Sequence, residues 1–133
     1  MNACDTGFFV EYLNANGAAA EVWEAARARK QKLIVSVVSL YELRRLALKG
    51  VIEPQRTKTL LTLLPSLCQV VYLGEESSEL LKHAARLAHG NALSMADSLI
   101  LASALSLGAS KLYTTDSDMA KYQGKDGPSI ELL

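Results

Sequence analysis

A chain of 133 residues, half of them apolar, is long enough for one hydrophobic core and too apolar for a disordered polypeptide. Fourteen basic and fourteen acidic residues cancel, so net charge points to no partner, and two distant cysteines, Cys4 and Cys68, exclude a disulfide scaffold or a cysteine metal site. No apolar run reaches the length of a membrane span, and Asp5 and Glu11 interrupt the first apolar residues; the expectation is a soluble, cytoplasmic single domain over 1–133 without a signal peptide.

Along the chain, 1–4 allows a short strand, which Asp5-Thr6-Gly7 stops. Residues 8–14 read as a helix and Gly17 breaks it. An Ala-rich helix anchored by Val22 and Trp23 follows over 18–30. The run Lys-Leu-Ile-Val-Ser at 32–36 reads as a buried strand. A third helix spans 39–49, closed by Gly50. A fourth opens with Glu53-Pro54 and stops near Leu64, ahead of Pro65. A strand at 69–73 precedes a helix over 75–88, with Leu80, Leu81, Ala84, Leu87 and Ala88 on its apolar side and Gly90-Asn91 at its end.

Residues 94–107 form the helix around which the rest is organised. It is apolar almost all round, hence buried, yet it carries Asp97 near its start. A strand at 111–114, one or two helical turns at 116–122, a loop at 124–128 and a strand at 129–133 complete the chain. Short strands alternating with helices predict an α/β fold with a mainly parallel sheet.

Charge is unevenly spread. Between Arg27 and Lys58 stand nine basic residues against two acidic ones, Glu42 and Glu53. Such a stretch reads first as solvated helix faces and second as a surface for an anionic polymer.

Five carboxylates stand at the ends of predicted elements. Asp5 follows the first strand, Glu42 and Asp97 lie in the first turns of their helices, and Asp116 and Asp118 follow the fourth strand. Open parallel sheets bind ligands beyond the carboxyl ends of their strands, which is where Asp5, Asp116 and Asp118 fall; Glu42 and Asp97 reach that edge only if the topology brings them. Each acid alone also suits a helix cap. Ser39-Leu-Tyr-Glu42 matches a capping box, Ser94-Met-Ala-Asp97 is its Asp version, and Asp5 and Asp116 stand at N-cap positions. Capping leaves unexplained why a carboxylate sits in an apolar helix, where an uncompensated charge is costly. Carboxylates crowded in one cleft stay ionised together only beside a cation. Mg²⁺ or Mn²⁺ suits such a site, taking one or two carboxylates and keeping its waters. Such ions assist phosphodiester hydrolysis by activating water and neutralising the phosphoryl group.

With these residues in view the sequence resembles the PIN-domain proteins, and most closely the VapC-type toxin ribonucleases of toxin–antitoxin systems. The likeness rests on four blocks in order: Cys4-Asp5-Thr6-Gly7-Phe8-Phe9, Ser39-Leu40-Tyr41-Glu42-Leu43, the run from Ser94 to Ala104, and Leu112-Tyr113-Thr114-Thr115-Asp116-Ser117-Asp118-Met119. It implies a three-layer α/β sandwich, with a parallel sheet of order 3-2-1-4-5 and helices on both faces. It implies one pocket lined by Asp5, Glu42, Asp97 and Asp116 as catalytic residues. Asp118 joins Asp5, Asp97 and Asp116 as a metal ligand, and Thr6 and Thr114 support them through their hydroxyls. It further implies Mg²⁺- or Mn²⁺-dependent cleavage of RNA, neutralisation by a small antitoxin whose C-terminal segment enters the groove, and a homodimer. One departure stands out: Gly7 occupies a place where the family often has Asn or Ser.

On this reading Asp5 and Asp97 bind an ion directly, while Asp116, Asp118 and Glu42 act through water or hold a second one. Arg44, Arg45 and Lys49 continue the helix of Glu42 and either hold the RNA backbone or are solvated. Two other functions fit the acids less well. A receiver-type phospho-acceptor domain needs a Lys near the last strand's carboxyl end, whereas Lys111 stands at the wrong end of its strand. A PIN fold kept as a non-catalytic RNA-binding module has no use for the full acid set. His83 and His89 read as surface residues, Trp23, Tyr12, Phe8 and Phe9 as core or dimer contacts, and Leu60 to Leu64 as a core, dimer or antitoxin face.

Overall fold

The computed structural model describes residues 1–124 and 126–133; the loop predicted over 124–128 includes Lys125, which lies outside them. The strands are β1 (Asn2–Cys4), β2 (Leu33–Ser36), β3 (Cys68–Val71), β4 (Lys111–Thr114) and β5 (Ser129–Leu132). They form a parallel sheet of order β3-β2-β1-β4-β5. The α-helices among the described residues are α1 (Thr6–Leu13), α2 (Gly17–Arg27), α3 (Val37–Leu48), α4 (Pro54–Leu67), α5 (Ser78–Asn91) and α6 (Met95–Ser106), and a 3₁₀ turn covers Ser117–Lys121.

Alternation along the strands sorts the core into two halves. Cys4, Leu33 and Val35 face a cluster built with Phe8, Phe9, Trp23, Leu43 and Leu64 of α1 to α4. Ala3, Ile34 and Leu112 face a second cluster with Ala84, Leu87, Ile100, Leu101 and Ala104 of α5 and α6. Phe8, Phe9 and Trp23 are core, as expected, with Tyr12 packed against them: the Phe8 and Phe9 rings meet edge to face at 5.0 Å, and Phe9 meets Trp23 at 5.9 Å. Both cysteines are free and buried. Among the described residues no helix is long and apolar enough to cross a membrane.

Several element ends differ from the sequence reading. β2 runs into α3 without a loop, because Ser36 ends the strand and also caps the helix, its hydroxyl accepting from Val38 N–H at 3.1 Å. The helix therefore starts two residues earlier than expected. Ser39 is inside it and fully buried, Glu42 lies in the second turn, and Ser39–Glu42 is not a capping box. α4 passes through Pro65 to Leu67: the bond Pro65 cannot donate is lost only in the last turn, where buried Leu60, Leu61 and Leu64 anchor the helix. α2 stops three residues early, since Arg29 turns the chain at φ 58°. α5 begins at Ser78 rather than Glu75 and continues through Gly90, ending at left-handed Ala92 instead. Leu81, read as part of its apolar side, is half exposed.

The caps are functional parts of the scaffold. Asn16 accepts from Ala19 N–H at 3.0 Å and opens α2. Asn16→Ala is expected to lower stability by about 1 kcal/mol, measured by chemical denaturation; an unchanged midpoint would contradict it.

Candidate functional site: an acidic cleft at the carboxyl edge

Chain order along the sheet reverses between β1 and β4, and ligands of open parallel sheets bind at such a point, beyond the carboxyl ends. A cleft of about 270 Å³ lies there, lined among others by Asp5, Thr6, Gly7, Glu42, Asp97, Thr115 and Asp116. The apolar part of its wall comes from Val10, Leu46 and Ile100. Asp5 and Asp116 enter from the loops after β1 and β4. Glu42 comes from α3 because helices return to the sheet with side chains three and four apart on one face, which places Leu46 beside it. Asp97 comes from the first turn of α6.

Asp5 is the most rigidly held. It is 4% exposed. Its Oδ1 accepts from Phe8 N–H at 3.0 Å, capping α1, and its Oδ2 accepts from the Thr114 hydroxyl. The Thr114 oxygen in turn accepts from Asp116 N–H at 2.9 Å, which ties the two acid-bearing loops together. On the other wall the Thr6 hydroxyl donates to Glu42 Oε1 at 2.6 Å and lies 3.1 Å from the Ser39 hydroxyl. Asp97 N–H donates to Ser94 Oγ at 3.1 Å, so Ser94 caps α6 as its spacing predicts.

Capping and clustering coexist at these residues. Asp5 and Asp116 both cap, Asp116 Oδ1 accepting from Asp118 N–H at 2.8 Å, while the same carboxylates line the cleft. Burial pushes the Asp5 carboxyl up to about 6; the Thr114 and Phe8 hydrogen bonds oppose this, and Asp116 and Glu42 add to it by repulsion. Asp97 rises to about 7, through burial first and then a hydrogen bond and repulsion shared with Asp116. Below about pH 6 to 7, Asp5 and Asp97 therefore hold protons that a cation would displace.

Asp118, Arg44, Arg45 and Lys49 do not line the cleft. Asp118 is exposed and pairs with Lys121 at 3.1 Å; the three cations are exposed on α3 and just after it. Lys111 begins β4, at the end of the strand opposite the acids, so it does not serve a phosphorylated Asp.

Among the described residues no three acids are gathered into a ready-made ligand cluster. A hard divalent ion does not need one, since it takes one or two carboxylates and retains its waters. The all-oxygen lining and the raised carboxyls of Asp5 and Asp97 fit such an ion, which Asp5 and Asp97 could hold with Asp116 beside them.

Thr115 is a lining residue that sequence reasoning missed. A Cβ at Gly7 would meet Thr115 Oγ1 at 2.0 Å and Thr115 Cβ at 3.1 Å. The Thr115 hydroxyl thus fills the space a side chain at position 7 would take; the signal lay in the departure at Gly7 together with the Thr114-Thr115 doublet. Gly7→Ser is expected to destabilise the fold by about 1–3 kcal/mol through this overlap. The loss should shrink in a Thr115→Ala background, and equal losses in both backgrounds would show that the two positions do not compete.

A doubly wound parallel sheet with carboxylates at its switch point defines an α/β domain whose cleft opens at the carboxyl edge of the sheet. The chain belongs to the PIN domain family, whose profile matches residues 3–125. Solved structures share the fold. VapBC2 from Rickettsia felis, bound to a promoter DNA fragment, matches with TM-score 0.72 at 14% identity, over 99% of this chain and 98% of that one. VapC20 from Mycobacterium tuberculosis, a toxin that cleaves the sarcin–ricin loop, matches with TM-score 0.68 at 20% identity, over 90% and 93%. A toxin–antitoxin complex from Klebsiella pneumoniae matches with TM-score 0.67 at 19% identity, over 93% and 100%. No curated protein matches the chain.

Proposed function

We propose that this PIN domain is a Mg²⁺- or Mn²⁺-dependent endoribonuclease and the toxin of a toxin–antitoxin pair. The observation that carries this reading is the convergence of Asp5, Glu42, Asp97 and Asp116 on one cleft at the switch point of the sheet. Asp5 and Asp97 hold the cation, Asp116 completes the anionic wall, and Glu42 orients water from the α3 side. The bound cation supplies charge neutralisation at the phosphoryl group and lowers the pKa of water. Thr114 and Thr6 fix the carboxylates, and Val10, Leu46 and Ile100 keep the local dielectric low, which strengthens each charge interaction.

The match over 3–125 supports reading 1–133 as one domain. Neighbours solved as toxin–antitoxin complexes support a cognate antitoxin as partner. Exposed Tyr41, Leu48 and Val51 on and after α3 suit a homodimer contact.

The test is incubation of total RNA with the protein and Mn²⁺, with and without chelator, followed by mapping of new ends. Discrete new ends that vanish with chelator are expected. RNA left intact under both conditions would end the reading.

A further inference from the structure

A larger cleft, of about 710 Å³, lies at the free edge of the sheet and shares no residue with the acidic one. β3 is an edge strand, hydrogen-bonded among the described residues only to β2. The cleft follows it from Cys68, at its amino end, to Tyr72, just past its carboxyl end. The turn between α2 and β2 contributes Arg29, Lys30 and Lys32 at the amino end of the cleft, where Leu33 is in register with Cys68. No Asp or Glu lines this cleft, and among the described residues none of the three cations joins an ion pair.

The turn is held in place. Gln31 Nε2 donates to Val22 C=O at 3.2 Å, Gln31 Oε1 accepts from Asn2 Nδ2 at 3.1 Å, and Lys30 N–H donates to Ala25 C=O at 2.9 Å. Three like charges are therefore presented at a fixed site without a counter-charge, an arrangement that an anion relieves. The length of the cleft along β3 suits an extended polyanion better than a compact one. An acidic peptide docking on an edge strand is read through pockets for alternate side chains. This wall instead offers polar Ser66 and Gln69 and the ring of Tyr72, 61% exposed. Those are the parts that phosphate contacts and base stacking use.

We propose that this edge cleft binds single-stranded RNA, with Arg29, Lys30 and Lys32 on successive phosphates and Tyr72 stacked on a base. The inference rests on the ribonuclease reading for the identity of its ligand, but its test measures binding without cleavage.

Fluorescence anisotropy with a labelled oligouridylate, in chelator and over a range of salt, reads it on the full chain. Replacing Arg29, Lys30 and Lys32 together by Gln is expected to weaken binding about tenfold or more and to flatten the log–log salt slope by about 2. Tyr72→Ala is expected to weaken binding about tenfold. A control triple variant, Lys82→Gln, Arg86→Gln and Lys111→Gln, removes equal charge elsewhere and should bind as the parent does. Equal losses in the two triple variants, or no loss in either, would overturn the proposal. So would polyglutamate that binds more tightly than RNA and loses affinity in the edge-cleft variant. Oligonucleotide binding that depends on the edge cleft, with total RNA left intact in Mn²⁺, would end the ribonuclease reading alone.

Discussion

Asp97→Asn is expected to reduce RNA cleavage more than about a hundredfold, since outer-shell changes at metal sites already cost about 10- to 100-fold. Two features make the substitution informative. It keeps the size and shape of the side chain, so α6, with Ile100, Leu101, Ala102 and Ala104 buried, should pack unchanged. It also removes the group that shares a hydrogen bond and repulsion with Asp116. The metal-free variant should therefore melt at or above the parent temperature near neutral pH, while activity is lost. Cleavage at the parental rate would show that Asp97 takes no part in the reaction. A variant that melts well below the parent would show that the carboxylate serves the fold instead.

The second large effect is a coupling between pH, metal and stability. Asp5 moves from an ordinary 3.8 to about 6 in the folded, metal-free chain, and Asp97 from 3.8 to about 7. Between these limits the folded state binds protons that the unfolded state has released. Stability from these groups is thus fully present below about pH 4 and is lost as pH rises through 6 and 7. For buried Asp5 this amounts to roughly 3 kcal/mol; half-buried Asp97 adds less, because solvent screens it. A divalent ion reverses the order by favouring the ionised forms. In chelator, the protein is expected to melt at a lower temperature near pH 7.5 than near pH 5, and Mn²⁺ should raise the melting temperature more at the higher pH. A Mn²⁺ effect that is the same at both would mean that the ion does not bind at these carboxylates.

Much of this was legible in the residues. Alternating short strands and helices give a parallel sheet, and the run over 94–107, apolar almost all round, reads as a buried helix, which it is from Ser98 to Ala104 except at Leu99. The cap signals at Asp5, Ser94 and Asp116 were local and strong, because a short side chain either reaches the next free N–H or it does not. Ser39-x-x-Glu42 carried the same local signal and was not a cap. Ser36 had already capped the helix, and burial turned Ser39 toward Thr6. A local pattern shows which bonds can form, and only packing chooses among several that can.

Composition and periodicity thus determined the fold class and most of the elements and singled out five acids, of which the family resemblance chose Asp5, Glu42, Asp97 and Asp116 as one pocket. They did so because these properties depend on neighbours within one or two turns. Tertiary structure alone decided that Glu42 and Asp97 share a cleft with Asp5 and Asp116, that Asp118 lies outside it, and that Thr115 fills the space left by Gly7. It alone also brought Arg29, Lys30 and Lys32 into one cleft with residues of β3. Each of these is a meeting of residues distant in the chain, set by strand order and by the return of helices to the sheet, and no nearby residue encodes it.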